Sequence, residues 1–422
     1  MNNSVVLKYN FTSSVLGSFY GDLLIHPHWK NYPPVSKEAH AIVGYIMIFI
    51  GVIGSLGNAL VIWIFGSSRL LRTPANLFII NLAFSDFLMS TTNFPLVVIS
   101  SFKGIWYFGK IGCDIYGFMG GVFGLMSIVT LAAIAMDRNR VISRPFDVLQ
   151  KMTTSRTAKI ICFIWIYCLI LASPPLFGWS QYVPEGFLTS CSFEYLDRNL
   201  LTRSFILYLF ILGFALPCLV ILFCYIFIIK SIYNHEKMMA KTLANSPLKF
   251  PQDRIKKRSN KKLNNDIQAA KIAFVIIILF CLSWIPYAII TLIGQFGNKT
   301  LITPWVSTLP AVFAKASTMY NPLVYAISNP YFRKALIKQL PCPFLQNKYF
   351  GHSKNFTKWS RSYSTVRDWT SSRHSNNRIP LSPNQSFDND ELLPNSTSAV
   401  EKGETCDFKN VIFQGDKKIN II

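Results

Sequence analysis

The sequence predicts an all-α membrane protein: a seven-transmembrane helix bundle followed by a short amphipathic cytoplasmic helix. Two observations carry this reading. Seven apolar stretches, each long enough to cross about 30 Å of hydrocarbon as a helix, fall at approximately 41 to 66, 75 to 100, 110 to 136, 158 to 178, 203 to 230, 270 to 295 and 303 to 327. Basic residues gather in alternate connections between them, the asymmetry that sets orientation in a bilayer. Over 422 residues the mean hydropathy is +0.32 and 51% of side chains are hydrophobic, which excludes a soluble domain of this size. The net charge of +22 fits basic cytoplasmic loops, so nucleic acid is not an expected partner.

Residues 1–40 form an extracellular amino-terminal segment in which Pro27, Pro33 and Pro34 prevent a regular helix. Its sequons at Asn2 and Asn10 suit glycosylation of an exported chain. No basic region followed by an apolar run marks a cleavable leader, so the first span serves as the insertion signal. His26 and His28 lack further ligands and read as loop residues, and no metal is expected. The bundle occupies 41–327. Arg69 and Arg72 separate its first two spans, and Arg138, Arg140, Arg144, Lys151, Arg156 and Lys159 flank the next loop on that side. The loop from Tyr233 to Asp266 carries nine Lys/Arg against three acidic residues, whereas Trp179 to Leu201 has three acidic residues and one arginine. The amino terminus is therefore expected outside and the carboxyl terminus in the cytoplasm.

Asn329-Pro330 breaks the seventh helix, and residues 331–342 resume with an amphipathic pattern suited to the inner leaflet. Cys342 is a candidate lipidation site. Residues 343–422 read as a disordered cytoplasmic tail, where Ser360, Ser362, Ser364, Thr365, Thr370, Ser371 and Ser372 can accept phosphate. Of nine cysteines, Cys162, Cys168, Cys218, Cys224, Cys281 and Cys113 lie in or at the edges of apolar spans. Cys113 opens the third span on the outer side and Cys191 lies in the outer loop before the fifth, where an oxidising compartment allows a disulfide.

One charge interrupts the seventh stretch. Lys315 lies midway along it, where an ammonium costs about 2.5–3.5 kcal/mol and cannot reach either surface. Desolvation disfavours the ammonium and frees the amine to attack an aldehyde, giving a Schiff base with loss of water. Pairing with an intramembrane carboxylate, or a place on a water-filled transport path, is the alternative.

The residues around Lys315 narrow the choice. Ala314-Lys315-Ala316-Ser317, followed by Asn321-Pro322-Leu323-Val324-Tyr325, resembles the last membrane helix of the opsins, the retinal-binding branch of the rhodopsin-like receptors. The resemblance implies retinal bound as a protonated Schiff base on Lys315, 11-cis in the dark and all-trans after light. It implies a Cys113–Cys191 disulfide and makes Glu185, in Pro184-Glu185-Gly186, the counterion that invertebrate opsins carry in this loop. Tyr116 stands where vertebrate opsins have a glutamate, and becomes a hydrogen-bonding pocket residue. Trp284 and Tyr287, set around Pro286, match the aromatics packed on the chromophore; Gly117, Gly120, Gly121 and Gly124 would leave it space. Small residues also allow close helix packing.

The same resemblance assigns the switching set. Pro286 kinks the helix that moves; Asn58, Asp86 and Asn321 form the inner polar network; Pro322 and Tyr325 complete the seventh-helix motif. Asp137-Arg138 matches the charged pair ending the third helix, with Asn139 departing from the usual tyrosine. Trp165, Pro217, Tyr225, Tyr182-Val-Pro-Glu-Gly and Thr189-Ser-Cys-Ser-Phe look most like invertebrate rhabdomeric opsins, over about residues 20 to 345. Implied partners are a heterotrimeric G protein of the Gq class, then arrestin and a receptor kinase at the tail, in the cell membrane of a photoreceptor. One departure bears on Gq coupling: Ser328-Asn329-Pro330-Tyr331 stands where that group has a His-Pro-Lys triplet that contacts the G protein. The lysine that short-wavelength insect members carry near Thr92-Asn93-Phe94-Pro95 is absent, and other tuning routes exist. A retinal photoisomerase of the same fold and a receptor for a diffusible ligand are the rival readings, with no catalytic residues assigned in the favoured one.

Overall fold

The computed structural model describes residues 25–68, 71–143, 152–244 and 252–339. Asn2, Asn10, Cys342 and the tail serines and threonines lie outside the described residues. Seven long helices appear in order: α1 (Lys37–Ser67), α2 (Asn76–Lys103), α3 (Gly109–Ser143), α4 (Thr154–Ala172), α5, α6 (Gln252–Phe296) and α7 (Pro304–Ser328). Helix α5 joins Leu200–Tyr208, a π-helical stretch Leu209–Ala215 and Leu216–Ala244. The short helix α8 (Pro330–Gln339) follows α7 after Asn329.

Local chemistry fixes the helix ends. Ser36, Thr153, Asn199 and Thr303 each cap a helix, their side-chain oxygens accepting from the backbone N–H three residues on. Gly104 ends α2 with φ +73°, a left-handed cap that suits glycine. Helix α4 stops at Ala172, short of the expected 178, because Pro174 and Pro175 turn the chain into a 3-10 segment. Helices α5 and α6 run beyond the expected spans, since backbone hydrogen bonding continues past the apolar register into the basic connection.

Helix α3 is the axis of the bundle. Its most apolar stretch is 72% buried against 28–50% in the other five helices that qualify as membrane spans by length and composition. It packs on α2, α4, α5 and α6, while α7 packs on α6, α1 and α2 and so closes the ring. Among the described residues, six helices meet both length and hydropathy for a membrane span. The sequence expectation for the seventh stretch was apolar enough to span; α7 has the length, but Lys315, its hydroxyl residues and three prolines lower its hydropathy, and packing inside the bundle accounts for its place. A largely apolar core also buries polar groups, among them Asn58, Asp86, Ser127, Thr130 and Asn321, while the exposed surface carries large apolar side chains such as Tyr45, Phe49, Leu56, Phe163 and Leu219.

The outer loop between α4 and α5 is a β-hairpin. Strands β1 (Tyr182–Glu185) and β2 (Ser190–Phe193) pair antiparallel, with Pro184 opposite Cys191 and Val183 opposite Ser192. The Cys113–Cys191 disulfide ties β2 to the start of α3, with the two Cα atoms 5.4 Å apart. The hairpin therefore roofs the bundle.

Candidate functional site

Beneath this roof lies a cavity whose walls include Lys315, Glu185, Tyr116, Trp284, Tyr287, Gly117, Gly120, Gly121 and Gly124. Chain segments far apart in sequence thus bring all nine expected binding residues to one space. Most other wall groups are apolar, among them Met89, Leu125, Phe193, Phe205 and Leu209.

Lys315 is set on α7 between the buried Ala314 and Ala316. Its Nζ lies 5.8 Å from the centre of the Tyr116 ring, a cation–π approach across to α3. No carboxylate lies within salt-bridge distance of it among the described residues.

Glu185 ends β1 and is only 3% exposed. Its Oε2 accepts from the Tyr287 hydroxyl at 3.1 Å, while Oε1 has no partner among the described residues. Burial pushes this carboxyl above the usual range, opposed by the charge of Lys315 and the hydroxyls of Tyr287 and Tyr195. The strand register turns Ser192 to the same face as Glu185, and Ser192 hydrogen-bonds the Tyr287 hydroxyl as well. Gly186 makes the turn possible: it has φ +57°, and a Cβ there would stand 2.3 Å from Thr308 Oγ1. Backbone N–H of Phe187 then donates to Thr308 Oγ1 at 3.0 Å, seating the hairpin on α7.

Two of the four cavity glycines, Gly117 and Gly124, serve close approach by protein groups. A Cβ on Gly117 would lie 2.3 Å from Tyr182 Cδ1, and one on Gly124 would lie 2.6 Å from Trp284 Cη2. A Cβ on Gly120 would lie 3.0 Å from Asn93 Nδ2, and one on Gly121 would lie 3.5 Å from Ala172 Cβ, an ordinary contact. Trp284 is steadied by an Nε1–H bond to Ser317 Oγ at 3.2 Å and by stacking on Phe280. Sequence reasoning missed Asn93, Ser192 and the role of Tyr182. Asn93 donates to Tyr116 O at 3.0 Å, and Tyr182 donates its hydroxyl to Ala172 O at 2.7 Å. A polar amide inside an apolar helix was the available signal for Asn93; the short alternating strands were the signal for the other two.

Residues 57–325 match the 7 transmembrane receptor (rhodopsin family). The chain belongs to that family. It is 45% identical over 324 residues to a scallop protein, "Rhodopsin, GQ-coupled" of Mizuhopecten yessoensis, covering 76% of this chain and 64% of the relative. It is 46% identical over 321 residues to the rhodopsin of the octopus Enteroctopus dofleini, covering 75% and 69%. The crystal structure of squid rhodopsin superposes with a TM-score of 0.72 at 43% identity, covering 77% of this chain and 91% of that one. The receptor is thus a multi-pass membrane protein spanning about two thirds of its curated relatives' length.

Below the cavity, this rhodopsin-family receptor joins α2, α3 and α7 through Asp86. Its Oδ2 accepts from Asn321 Nδ2 at 2.6 Å and its Oδ1 from Ser127 Oγ at 3.0 Å. Asn58 meets neither side chain directly: its Nδ2 donates to Gly54 O and, at 2.8 Å, to Thr318 O on α7. Pro322 abuts Gly57, where a Cβ would lie 2.7 Å from its Cγ, and Tyr325 packs edge-on against Phe65. At the inner end of α3, Arg138 pairs with the buried Asp137. Asn139 accepts from Ser143 Oγ at 2.9 Å, and Ser143 meets Ser231 of α5 at 2.9 Å. Pro286 lies within α6, removing one backbone donor two residues beyond Trp284.

Proposed function

We propose that the receptor is a light sensor that holds retinal on Lys315 and activates a heterotrimeric G protein. One observation carries the reading: the Lys315 amine, with no carboxylate at salt-bridge distance among the described residues, lines an apolar cavity together with the buried Glu185, whose Oε1 has no hydrogen-bond partner among them. An apolar polyene suits the walls, an aldehyde suits the amine, and Glu185 Oε1 suits the positive charge left on the nitrogen. Condensed with Lys315 Nζ as 11-cis retinal, the group supplies light absorption and a change of shape to the all-trans form.

The chain's own residues do the rest. Glu185 balances the charge at Nζ, and Tyr287 and Ser192 hold that carboxylate in place. Tyr116 presents its ring to Nζ and fills the wall opposite. Trp284 occupies the notch at Gly124, so a change in cavity shape presses on α6 beside Pro286. A bound group moves a conformational equilibrium only by interacting differently with its two states; here that difference falls on Trp284 and on Glu185. Swinging of α6 about Pro286 opens the inner face at Arg138. The Asp86–Asn321 bond carries the change to Pro322 and Tyr325.

The Gq class is the favoured G protein, supported by likeness to a GQ-coupled scallop rhodopsin. Arrestin and a receptor kinase are the partners proposed for the tail. The chain sits in a photoreceptor cell membrane with its amino terminus outside, an orientation supported by the basic inner loops. The deciding experiment adds 11-cis retinal in the dark to the expressed receptor and to Lys315→Ala. A new absorption band that light shifts, that the variant lacks, and that accompanies light-driven nucleotide exchange on a Gq protein is the expected result. A folded wild-type protein without a retinal-dependent band would overturn the reading.

A further inference from the structure

The Leu209–Ala215 stretch of α5 is π-helical, so that its amides reach the carbonyl five residues back rather than four. The Leu216 N–H accordingly donates to Ile211 O. The next carbonyl in this register, Leu212 O, would take the amide of residue 217, but that residue is Pro217 and has no N–H to give. An acceptor left bare in hydrocarbon is costly. The Tyr167 hydroxyl, reaching across from α4, donates to Leu212 O at 2.9 Å.

The stretch borders the cavity. Leu209 opens it, Phe205 lies one turn earlier, and both belong to the cavity wall. Gly213, buried within the stretch, brings the backbone against α3: a Cβ there would lie 2.6 Å from Leu125 Cδ2, and Leu125 is a wall residue too. The two flanks are anchored separately. Before the stretch, Trp179 donates from Nε1 to Ser204 Oγ at 2.9 Å and packs its rings on Phe205 and Tyr208. After it, the Tyr225 hydroxyl donates to Ala270 O of α6 at 3.0 Å. Converting the stretch to ordinary α-helix would remove its extra residue and turn one flank against the other by about 100°. Phe205 and Leu209 could then not keep their places in the wall while Tyr225 keeps its bond to α6.

We propose that Tyr167 is a positioning residue for the chromophore: its hydroxyl replaces the amide that Pro217 lacks, holds α5 in the π register, and so decides which α5 side chains face the cavity. Half-buried on α4 and outside the cavity wall, it acts through Phe205 and Leu209. The optical consequence rests on the retinal reading above; the register rests on backbone hydrogen bonding alone. A phenol that merely takes the nearest acceptor would be indifferent to residue 217. Under the proposal the two positions depend on one another, because a residue with an N–H at 217 gives Leu212 O a donor without the phenol.

The test is a double-mutant cycle on the full-length receptor with Tyr167→Phe, Pro217→Ala and the two together. Melting temperature is read without retinal, and the dark absorption maximum after 11-cis retinal is added. Tyr167→Phe is expected to melt below the wild type and, once loaded, to absorb at a shifted maximum, because Phe205 and Leu209 have moved. In the Pro217→Ala background the same substitution should change neither reading, since the restored amide serves Leu212 O. Equal losses of melting temperature in both backgrounds, the additivity expected of independent sites, would overturn the proposal, as would a maximum unmoved by Tyr167→Phe. Should Tyr167→Phe fail to fold, a folded double variant supports the proposal and an unfolded one overturns it. Absence of a retinal band from all four proteins would sink the pigment reading instead, and the melting cycle would still decide the register.

Discussion

Lys315 shows how much one residue can disclose. An amine in the middle of a span is expensive enough to require a chemical reason, so its position was informative before any fold was known. Glu185 was a weaker signal, because a loop carboxylate is ordinarily solvated; its burial exists only once the hairpin is built. If Glu185 stabilises a cation on Lys315 Nζ, Glu185→Gln removes that stabilisation. The long-wavelength band of the retinal-loaded variant should then give way to a shorter-wavelength form at lower pH than in the wild type, measured by absorbance titration in the dark. An unchanged titration would move the counterion role to another group. Asn93 ties α2 to the backbone of Tyr116; a polar amide in an apolar helix marks the position in the sequence, but its partner on α3 is set only by packing.

At the scale of elements, the β-hairpin and α3 are fitted to one another. Gly117 leaves the space that the Tyr182 ring fills, and the disulfide holds β2 beside it. Gly117→Ala forces the ring or the helix to move, and the expected cost is about 1–3 kcal/mol. A lowered melting temperature with the Cys113–Cys191 bond intact is the measurement; a variant as stable as the wild type would show that Tyr182 yields freely. The helices themselves were legible because twenty-odd apolar residues in a row have few other fates. Their ends were less so. Helix α4 stops early at Pro174-Pro175, whereas α5 and α6 continue into polar sequence, since backbone hydrogen bonds do not stop where hydrophobicity does. The π-helical stretch at Leu209–Ala215 left no mark that the apolar pattern could report.

At the scale of the whole molecule, Asp86 is where α2, α3 and α7 meet. Asp86→Ala removes the acceptor of the buried Asn321 amide, at about 1–3 kcal/mol, while Ser127 keeps Phe123 O at 3.1 Å. Thermal stability should fall, and light-driven nucleotide exchange should fall with it while the absorption band persists. Loss of the band instead would place Asp86 in the cavity's own machinery. The sequence alone determined the number of spans, the amine at their centre and the family to which the chain belongs, because each rests on local hydrophobicity or on residues set at fixed spacing. Only the tertiary structure decided which side chains share a space. Glu185 meets Tyr287, Trp284 fills the notch at Gly124, and Asp86 accepts from Asn321. These contacts join residues from 102 to 235 positions apart in the cases of Glu185 with Tyr287 and Asp86 with Asn321. Burial and electrostatics depend on distance through space, and a sequence records only distance along the chain.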